Sequence, residues 1–162
     1  MLATVRRLSP VNRQDDSVEE ESAEGDILAV FAAVATAHRD RDAAGIVAHY
    51  APDAVVFDLS PPLRSRLVAC SEGVQTWLDT WDGPIELELR DFEVSVSGDI
   101  AYGHGYQRMA GKTKPGGEVV DFWMRLSVGL RRRGGRWRIV HEHTSVPFYM
   151  DGNCQPAFDL AP

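Results

Sequence analysis

The stretch that decides the fold is residues 119–146, VVDFWMRLSVGLRRRGGRWRIVHEHTSV. Two long runs rich in β-branched and aromatic residues, Val119 to Leu130 and Arg136 to Val146, flank the glycine pair Gly134-Gly135. Such runs on either side of a glycine pair are typical of an antiparallel β-hairpin. The last two strands of the chain are therefore predicted to pair here, with the surrounding arginines on a solvated turn.

Two more extended runs precede this hairpin. They are Ile85 to Val96 and Ile100 to Met109, and turn residues follow each of them, at 97–99 and 111–117. Runs of this length and composition, separated by glycine-containing turns, are typical of consecutive antiparallel strands. The second half of the chain is therefore predicted to form a four-stranded antiparallel meander.

The part of the chain before residue 85 is predicted to be mainly helical. A long first helix is predicted from the i, i+3, i+4, i+7 spacing of its apolar face, which consists of Ile27, Val30, Phe31, Val34 and His38. A second, short helix is expected from Asp42 to Tyr50, then a short strand from Ala54 to Leu59, and then a third helix with Ser71 as its N-cap. Together these elements predict an α+β domain in which a strongly curved antiparallel sheet wraps around a long N-terminal helix and leaves a cavity.

Composition narrows the class of protein. The chain has 162 residues, of which 44% are hydrophobic, and this is enough for one packed core. No apolar run approaches the roughly 20 residues of a membrane-spanning helix, and no signal sequence is recognisable, so we expect a cytoplasmic protein with no membrane partner. Cys70 and Cys154 lie far apart in unlike contexts, which favours two reduced thiols.

The net charge of -7 is concentrated in one acidic run. Residues 15–26 contain seven acidic and no basic residues, and the rest of the chain is close to neutral. We therefore interpret residues 1–22 as a mobile acidic tail and residues 23–162 as a single domain. Outside the acidic run the chain has almost no net charge, which argues against a nucleic-acid partner. The sequence also lacks a phosphate-binding glycine loop and a GxSxG motif, which argues against nucleotide-dependent chemistry and serine hydrolysis.

Four segments carry a family resemblance: ILAVFAAVATAHRDRDAAGIVAHYAPDAVVFD at 27–58, WLDTWDGPIELE at 77–88, DFWMRLSVGL at 121–130 and GGRWRIVHEHTSVPF at 134–148. Together they resemble the SnoaL-like, ketosteroid-isomerase-related branch of the nuclear transport factor 2-like superfamily. The resemblance covers about residues 24 to 160 and implies a cone-shaped, cystatin-like barrel. It implies cofactor-independent chemistry, but this superfamily hosts many reactions, so function has to be argued from the site.

The resemblance also implies a role for one residue. Asp58 falls where ketosteroid isomerase carries its aspartate general base. That enzyme stabilises an enolate with a tyrosine and a protonated aspartate. The corresponding positions here read Val34 and Ser127, which argues against steroid isomerisation by the same mechanism.

The last two strands supply most of the remaining candidate site residues. Strict alternation places one set of side chains on a single face, which the resemblance makes the concave one. That set comprises Trp123, Arg125, Ser127, His141, His143 and Ser145. The opposite face of the fourth strand is wholly apolar, and we expect a homodimer to bury it through the sheet. The alternative is that this apolar face packs on the first helix and that the register is inverted.

The predicted active site combines Asp58 as general base with His143 as proton shuttle. Arg125 and Ser145 would polarise and orient the substrate. The predicted walls and further ligand contacts are Phe31, Trp77, Trp81, Trp123, Ser127 and His141. The alternative interpretation is that these polar groups only satisfy one another, with Asp58 paired to Arg125.

Two further features have a structural and a functional interpretation. Trp77 and Trp81, four residues apart on one helix, could sandwich a flat ligand, although ordinary core packing is favoured. His141 and His143 could share a metal ion with Asp58 or His104, but a fixed third ligand is missing and we expect no metal.

The predicted function is therefore that of a small-molecule pocket protein. It would be an isomerase, cyclase or dehydratase that moves a proton on a small apolar carbonyl compound without a cofactor. The alternative is a non-catalytic ligand-binding or oligomeric assembly module, similar to the association domain of calcium/calmodulin-dependent kinase.

Overall fold

A computed structural model describes residues 14–66 and 70–162 of the protein. Within these ranges the chain forms three helices, α1 Gln14–Arg39, α2 Ala43–Val47 and α3 Ser71–Leu78. It also forms five strands, β1 Tyr50–Phe57, β2 Glu86–Ser97, β3 Ile100–Lys112, β4 Val119–Arg133 and β5 Arg136–Ser145. The predicted α+β class and the predicted order of elements are confirmed.

The two short helices begin differently. Asp42 caps α2, and its Oδ1 accepts a hydrogen bond from the Gly45 amide at 2.9 Å. A Cβ atom at Gly45 would lie 2.5 Å from the other carboxylate oxygen of Asp42, so glycine suits this cap. The residue preceding α3 is Cys70, whose side chain makes no capping hydrogen bond. Ser71, the predicted cap, is instead the first residue of that helix.

The sheet is curved, open and mixed, with the strand order β1-β5-β4-β3-β2. The four long strands pair antiparallel, as predicted. The expectation of a wholly antiparallel sheet is wrong at one edge, because β1 pairs parallel with β5. Such a pair needs a long connection, and here the chain passes through α3 and the other three strands before β5 returns beside β1.

A β-bulge determines which side chains face the core. Leu130 pairs with Ile139 whereas Gly129 pairs with His141, so Val140 is an extra residue in β5. Before the bulge Ile139 points inward and is fully buried. After it the alternation is reversed, and His141 lies on the outer face of the sheet.

The register predicted for the two last strands is therefore wrong beyond the bulge and along β4. The apolar residues Leu126, Val128 and Leu130 of β4 are at most 1% exposed and belong to the main core together with residues of α1. This inner face is covered by the chain itself, so it is not available to a second copy. The homodimer remains a prediction, but this face cannot form its interface.

The N-terminal part of the chain differs from the predicted tail. The helix α1 begins at Gln14, eight residues before the predicted end of the tail, and residues 1–13 lie outside the described residues. The core includes Ala23. None of the helices in the described ranges is both long and apolar enough to span a bilayer. Cys70 and Cys154 are both free and exposed.

The arginine-rich hairpin tip is a solvent-exposed turn. Gly134 and Gly135 have φ angles of 57° and 75°, which L side chains rarely adopt. Arg132 donates a hydrogen bond to Asp99 at 2.9 Å, and its guanidinium lies 5.4 Å from the Trp137 ring centroid. The remaining arginines of the tip, Arg131, Arg133 and Arg136, are exposed. The interpretation of this cluster as a solvated turn is confirmed.

Candidate functional site

A cavity of about 220 Å³ lies between α1, α2, α3, β1 and the inner face of the sheet. Most of its walls are apolar or aromatic, including Phe31 and Trp77, two of the predicted contacts. Its polar lining residues are His38, Tyr50, Asp58, Ser60, Ser65, Gln107, Glu142 and Thr144. An apolar cavity with a few convergent polar groups is typical of a small-molecule site.

His38, in the last turn of α1, supplies a neutral imidazole. Its Nδ1 lies 2.7 Å from the carbonyl oxygen of Val34. A carbonyl can only accept a hydrogen bond, so Nδ1 carries the proton and Nε2 is left as the basic nitrogen. Burial lowers the pKa of His38, while the Val34 hydrogen bond partly opposes that shift. The ring packs edge-on against Trp77, with centroids 5.8 Å apart, and these contacts hold an uncharged base in the cavity.

Glu142 and Tyr50 form the second polar group. The Tyr50 hydroxyl donates a hydrogen bond to Glu142 Oε2 at 2.8 Å. The pKa of Glu142 is raised to about 7, because burial and, to a smaller extent, the charge of Asp58 raise it by more than the Tyr50 hydrogen bond lowers it. Burial and the neighbouring Glu142 raise the pKa of Tyr50 well above its usual value. Glu142 therefore exchanges its proton near neutral pH, whereas Tyr50 remains a hydrogen-bond donor.

Asp58 lies at the solvent-exposed rim of this cavity. It directly follows β1, and its Oδ1 accepts a hydrogen bond from the Leu59 amide at 2.7 Å. The alternation of β1 sends Phe57 to the outer face and Asp58 to the inner one. Asp58 therefore lines the cavity, as the sequence predicts, together with Phe31 and Trp77.

The predicted partners of Asp58 lie on the other side of the sheet. Arg125 and Ser127 line an open groove on the outer face, beside His104 and Tyr102. The pairing register places Ser145 opposite Arg125 on the same outer face. Asp58 and Arg125 are thus separated by the sheet, and neither the predicted active site nor the predicted Asp58–Arg125 pair is formed.

The two strand histidines also lie on the outer face. His141 Nδ1 is 2.8 Å from the carbonyl oxygen of Val55, and Phe57 packs edge-on against both histidine rings, with centroids 4.9 Å from His141 and 5.7 Å from His143. Over the described ranges, the structure contains no group of three His, Cys, Asp or Glu side chains that could hold a metal ion.

The remaining predicted tryptophan contacts also lie outside the cavity lining. Trp123 is on the outer face, with the Arg90 guanidinium 4.4 Å from its ring centroid. Trp81 is 4% exposed and belongs to the core, where its ring centroid lies 5.7 Å from that of Trp77. Core packing thus describes Trp81, whereas Trp77 has both a core contact and a place in the cavity wall.

Sequence reasoning missed His38 and Glu142 as site residues. His38 had a visible signal, because it is the one titratable residue on the apolar face predicted for the first helix. Glu142 had none, because the bulge at Val140 reverses the alternation that assigned it to the outer face.

Comparison with known proteins identifies the family of the chain. The SnoaL-like domain matches residues 27–149. The chain belongs to the SnoaL-like family. No curated protein matches the chain.

Solved structures show the same fold. An NTF2-like protein of unknown function from Pseudomonas putida KT2440 is 35% identical to this SnoaL-like chain. The match covers 88% of this chain and 98% of the Pseudomonas protein, with a TM-score of 0.74. A provisionally assigned NTF2-like dehydratase from Streptomyces avermitilis is 16% identical over 78% of this chain and 97% of its own, with a TM-score of 0.66. A ketosteroid isomerase-like protein from Erwinia carotovora atroseptica is 21% identical over 75% of this chain and 93% of its own, with a TM-score of 0.59.

The raised pKa of Glu142 predicts a pH-dependent stability of this SnoaL-like domain. The folded protein binds the Glu142 proton more tightly than the unfolded chain does, so the free energy of unfolding falls as pH rises from about 4.5 to about 7. Glu142→Gln removes this dependence. The free energy of unfolding of the variant, taken relative to that of the wild type, should therefore rise from pH 5 to pH 8. The rise should be no more than about 3 kcal/mol, since one unit of pKa shift corresponds to about 1.4 kcal/mol.

Urea unfolding of both proteins at pH 5 and pH 8 measures this difference. Glu93→Gln, which changes a carboxylate of the outer groove, is the matched control. A stability difference between wild type and Glu142→Gln that does not change with pH would contradict the assignment of a raised pKa to Glu142.

Proposed function

We propose that this protein is a cofactor-independent enzyme that moves a proton on a small, largely apolar carbonyl compound, in an isomerase- or dehydratase-type reaction. One observation carries the proposal. His38 and Glu142 line one apolar cavity, and burial shifts their pKa values in opposite directions, downward for the base and upward for the acid. Pairs of titratable groups with pKa values displaced in this way are characteristic of acid–base sites.

Each polar group has a role in this proposal. The lone pair of His38 Nε2 accepts a proton from the carbon next to the substrate carbonyl. Protonated Glu142 donates a hydrogen bond to the oxygen on which negative charge develops, while the Tyr50 hydroxyl holds Glu142 in place through its own hydrogen bond to Oε2. The proton is then returned to another carbon in an isomerisation, or to a departing hydroxyl in a dehydration. Asp58, at the rim, is the second candidate for the base.

The dimensions of the cavity limit the substrate. An apolar protein cavity of about 150 Å³ accepts a benzene molecule. The volume here, about 220 Å³, therefore suits one substituted ring. The dehydratase and the ketosteroid isomerase-like protein named above share the fold, and their names are compatible with proton-transfer chemistry in such a cavity.

Proton exchange with solvent tests this function without knowledge of the product. The protein is incubated in D₂O with a panel of single-ring ketones, and the loss of the proton signals next to each carbonyl is followed by NMR. We expect exchange that depends on the protein for at least one ketone. The absence of such exchange across the panel would contradict the proposal and favour the ligand-binding module.

A further inference from the structure

We propose that the cavity binds uncharged ligands in preference to anions such as carboxylates and phosphates. This inference names the substrate class of the same site and in that sense rests on the proposed function. It is carried by the charges that surround the cavity, and it can be tested by binding alone.

The described residues of the cavity wall offer no permanently positive group to an anion. Among the described residues that line it, none is a lysine or an arginine. The one basic side chain in the lining is His38, whose Nδ1–H is directed to a backbone carbonyl and whose burial favours the neutral form. An anion that enters must therefore give up its hydration without gaining an opposite charge, which is unfavourable.

Two carboxyl groups add repulsion. Within the described ranges no salt bridge neutralises Asp58 or Glu142. Their hydrogen-bond donors are neutral, the Leu59 amide for Asp58 and the Tyr50 hydroxyl for Glu142. Like charges repel more strongly in a poorly hydrated cavity than in water, so ionised Glu142 disfavours a second carboxylate beside it.

The strand register decides this ligand class. In the register predicted from strict alternation, Arg125 faces the cavity and would bind an oxyanion. The bulge and the burial of Leu126 place Arg125 in the outer groove instead. An acidic ligand is therefore expected to prefer the outer face, away from the cavity.

The charge of the cavity changes with pH. Among the described residues, Glu142 is influenced by Tyr50 on β1 and by Asp58 beyond the end of β1, and His38 on α1 is the other titratable residue that lines the same cavity. Glu142 titrates near pH 7. A carboxylate ligand that binds only when Glu142 is protonated therefore loses about tenfold in affinity between pH 6 and pH 8. The affinity of an uncharged ligand has no such dependence.

Benzyl alcohol and benzoate are a matched pair of probes that differ in charge. Their binding is followed by amide NMR shifts, with Gln107 and Thr144 reporting on the cavity and Arg125 and Ser127 on the outer groove. We expect benzyl alcohol to shift the cavity signals equally at pH 6 and pH 8. At pH 8 benzoate should bind in the cavity at least tenfold more weakly than benzyl alcohol does.

Two variants and a third probe sharpen the test. Glu142→Gln should raise the affinity of benzoate for the cavity at pH 8 about tenfold, whereas Glu93→Gln, in the outer groove, should leave the affinity for the cavity unchanged. The inference is overturned if benzoate matches benzyl alcohol at the cavity signals at pH 8, or if the cation benzylammonium binds there more weakly than benzoate. It is also overturned if benzyl alcohol does not bind in the cavity. Neither benzyl alcohol nor benzoate has a proton on a carbon next to a carbonyl, so failure of the exchange experiment leaves this test unaffected.

Discussion

Replacing His38 with glutamine should reduce ketone proton exchange by about 100-fold or more, because the basic Nε2 is lost while a polar side chain of similar reach is kept. The reduction should appear mainly in kcat. The structure gives His38 an unprotonated nitrogen through its hydrogen bond to Val34, and a glutamine amide cannot accept a proton at neutral pH. The measurement is the rate of deuterium incorporation into the ketone with the highest wild-type rate.

The matched control is His143→Gln, because His143 lies on the outer face of the same sheet. Its exchange rate should stay within about twofold of the wild type, since surface changes away from a site have small effects. Circular dichroism and thermal unfolding confirm that both variants fold. Loss of exchange in the His143 variant with retention in the His38 variant would reverse our assignment of the functional face.

Leu126→Asp should destabilise the domain by at least about 3 kcal/mol, because it places an unpaired charge in the core. Leu126 is 1% exposed and belongs to the main hydrophobic cluster. The neighbouring change Ser127→Asp places the same side chain on the outer face, beside Arg125. It should change the free energy of unfolding by less than about 1 kcal/mol.

Urea unfolding of the two variants measures both values under one condition. The pair is internally controlled, since the introduced residue is the same and the positions are adjacent. A large loss for Ser127→Asp together with a small loss for Leu126→Asp would support the opposite register of β4, in which the apolar face is available to a second copy.

Local signals in the sequence predicted most of the fold. The observed limits of β3, β4 and β5 lie within a few residues of the predicted ones, because glycine-containing turns mark where these strands end. The spacing of apolar residues in α1 also predicted which helix face is buried, from Ile27 to Val34. Features that depend on residues close in sequence were therefore accessible.

Features that depend on the pairing of segments far apart in the chain could not be predicted from the sequence. The parallel contact between β1 and β5 joins segments about 90 residues apart, and no local pattern specifies it. The bulge at Val140 is equally hidden, because the residues on both sides of it read as one regular strand. One inserted residue moves every later side chain of the strand to the other face.

The candidate site shows the same division. Asp58, Phe31 and Trp77 were predicted and line the cavity, and none of them depends on the register of β5. His143 and Glu142 exchange faces when the bulge is taken into account. Arg125 lies on the outer face of β4, and none of the described residues that line the cavity is a lysine or an arginine.

The most direct test of the central claim is an NMR experiment with histidine rings labelled with ¹⁵N. The claim is that the functional site is the inner cavity that contains His38. On addition of benzyl alcohol, the His38 ring signals should shift in a saturable way, and those of His141 and His143 should stay in place. Saturable shifts of His143 with unchanged His38 signals would contradict the claim and place the site on the outer face of the sheet.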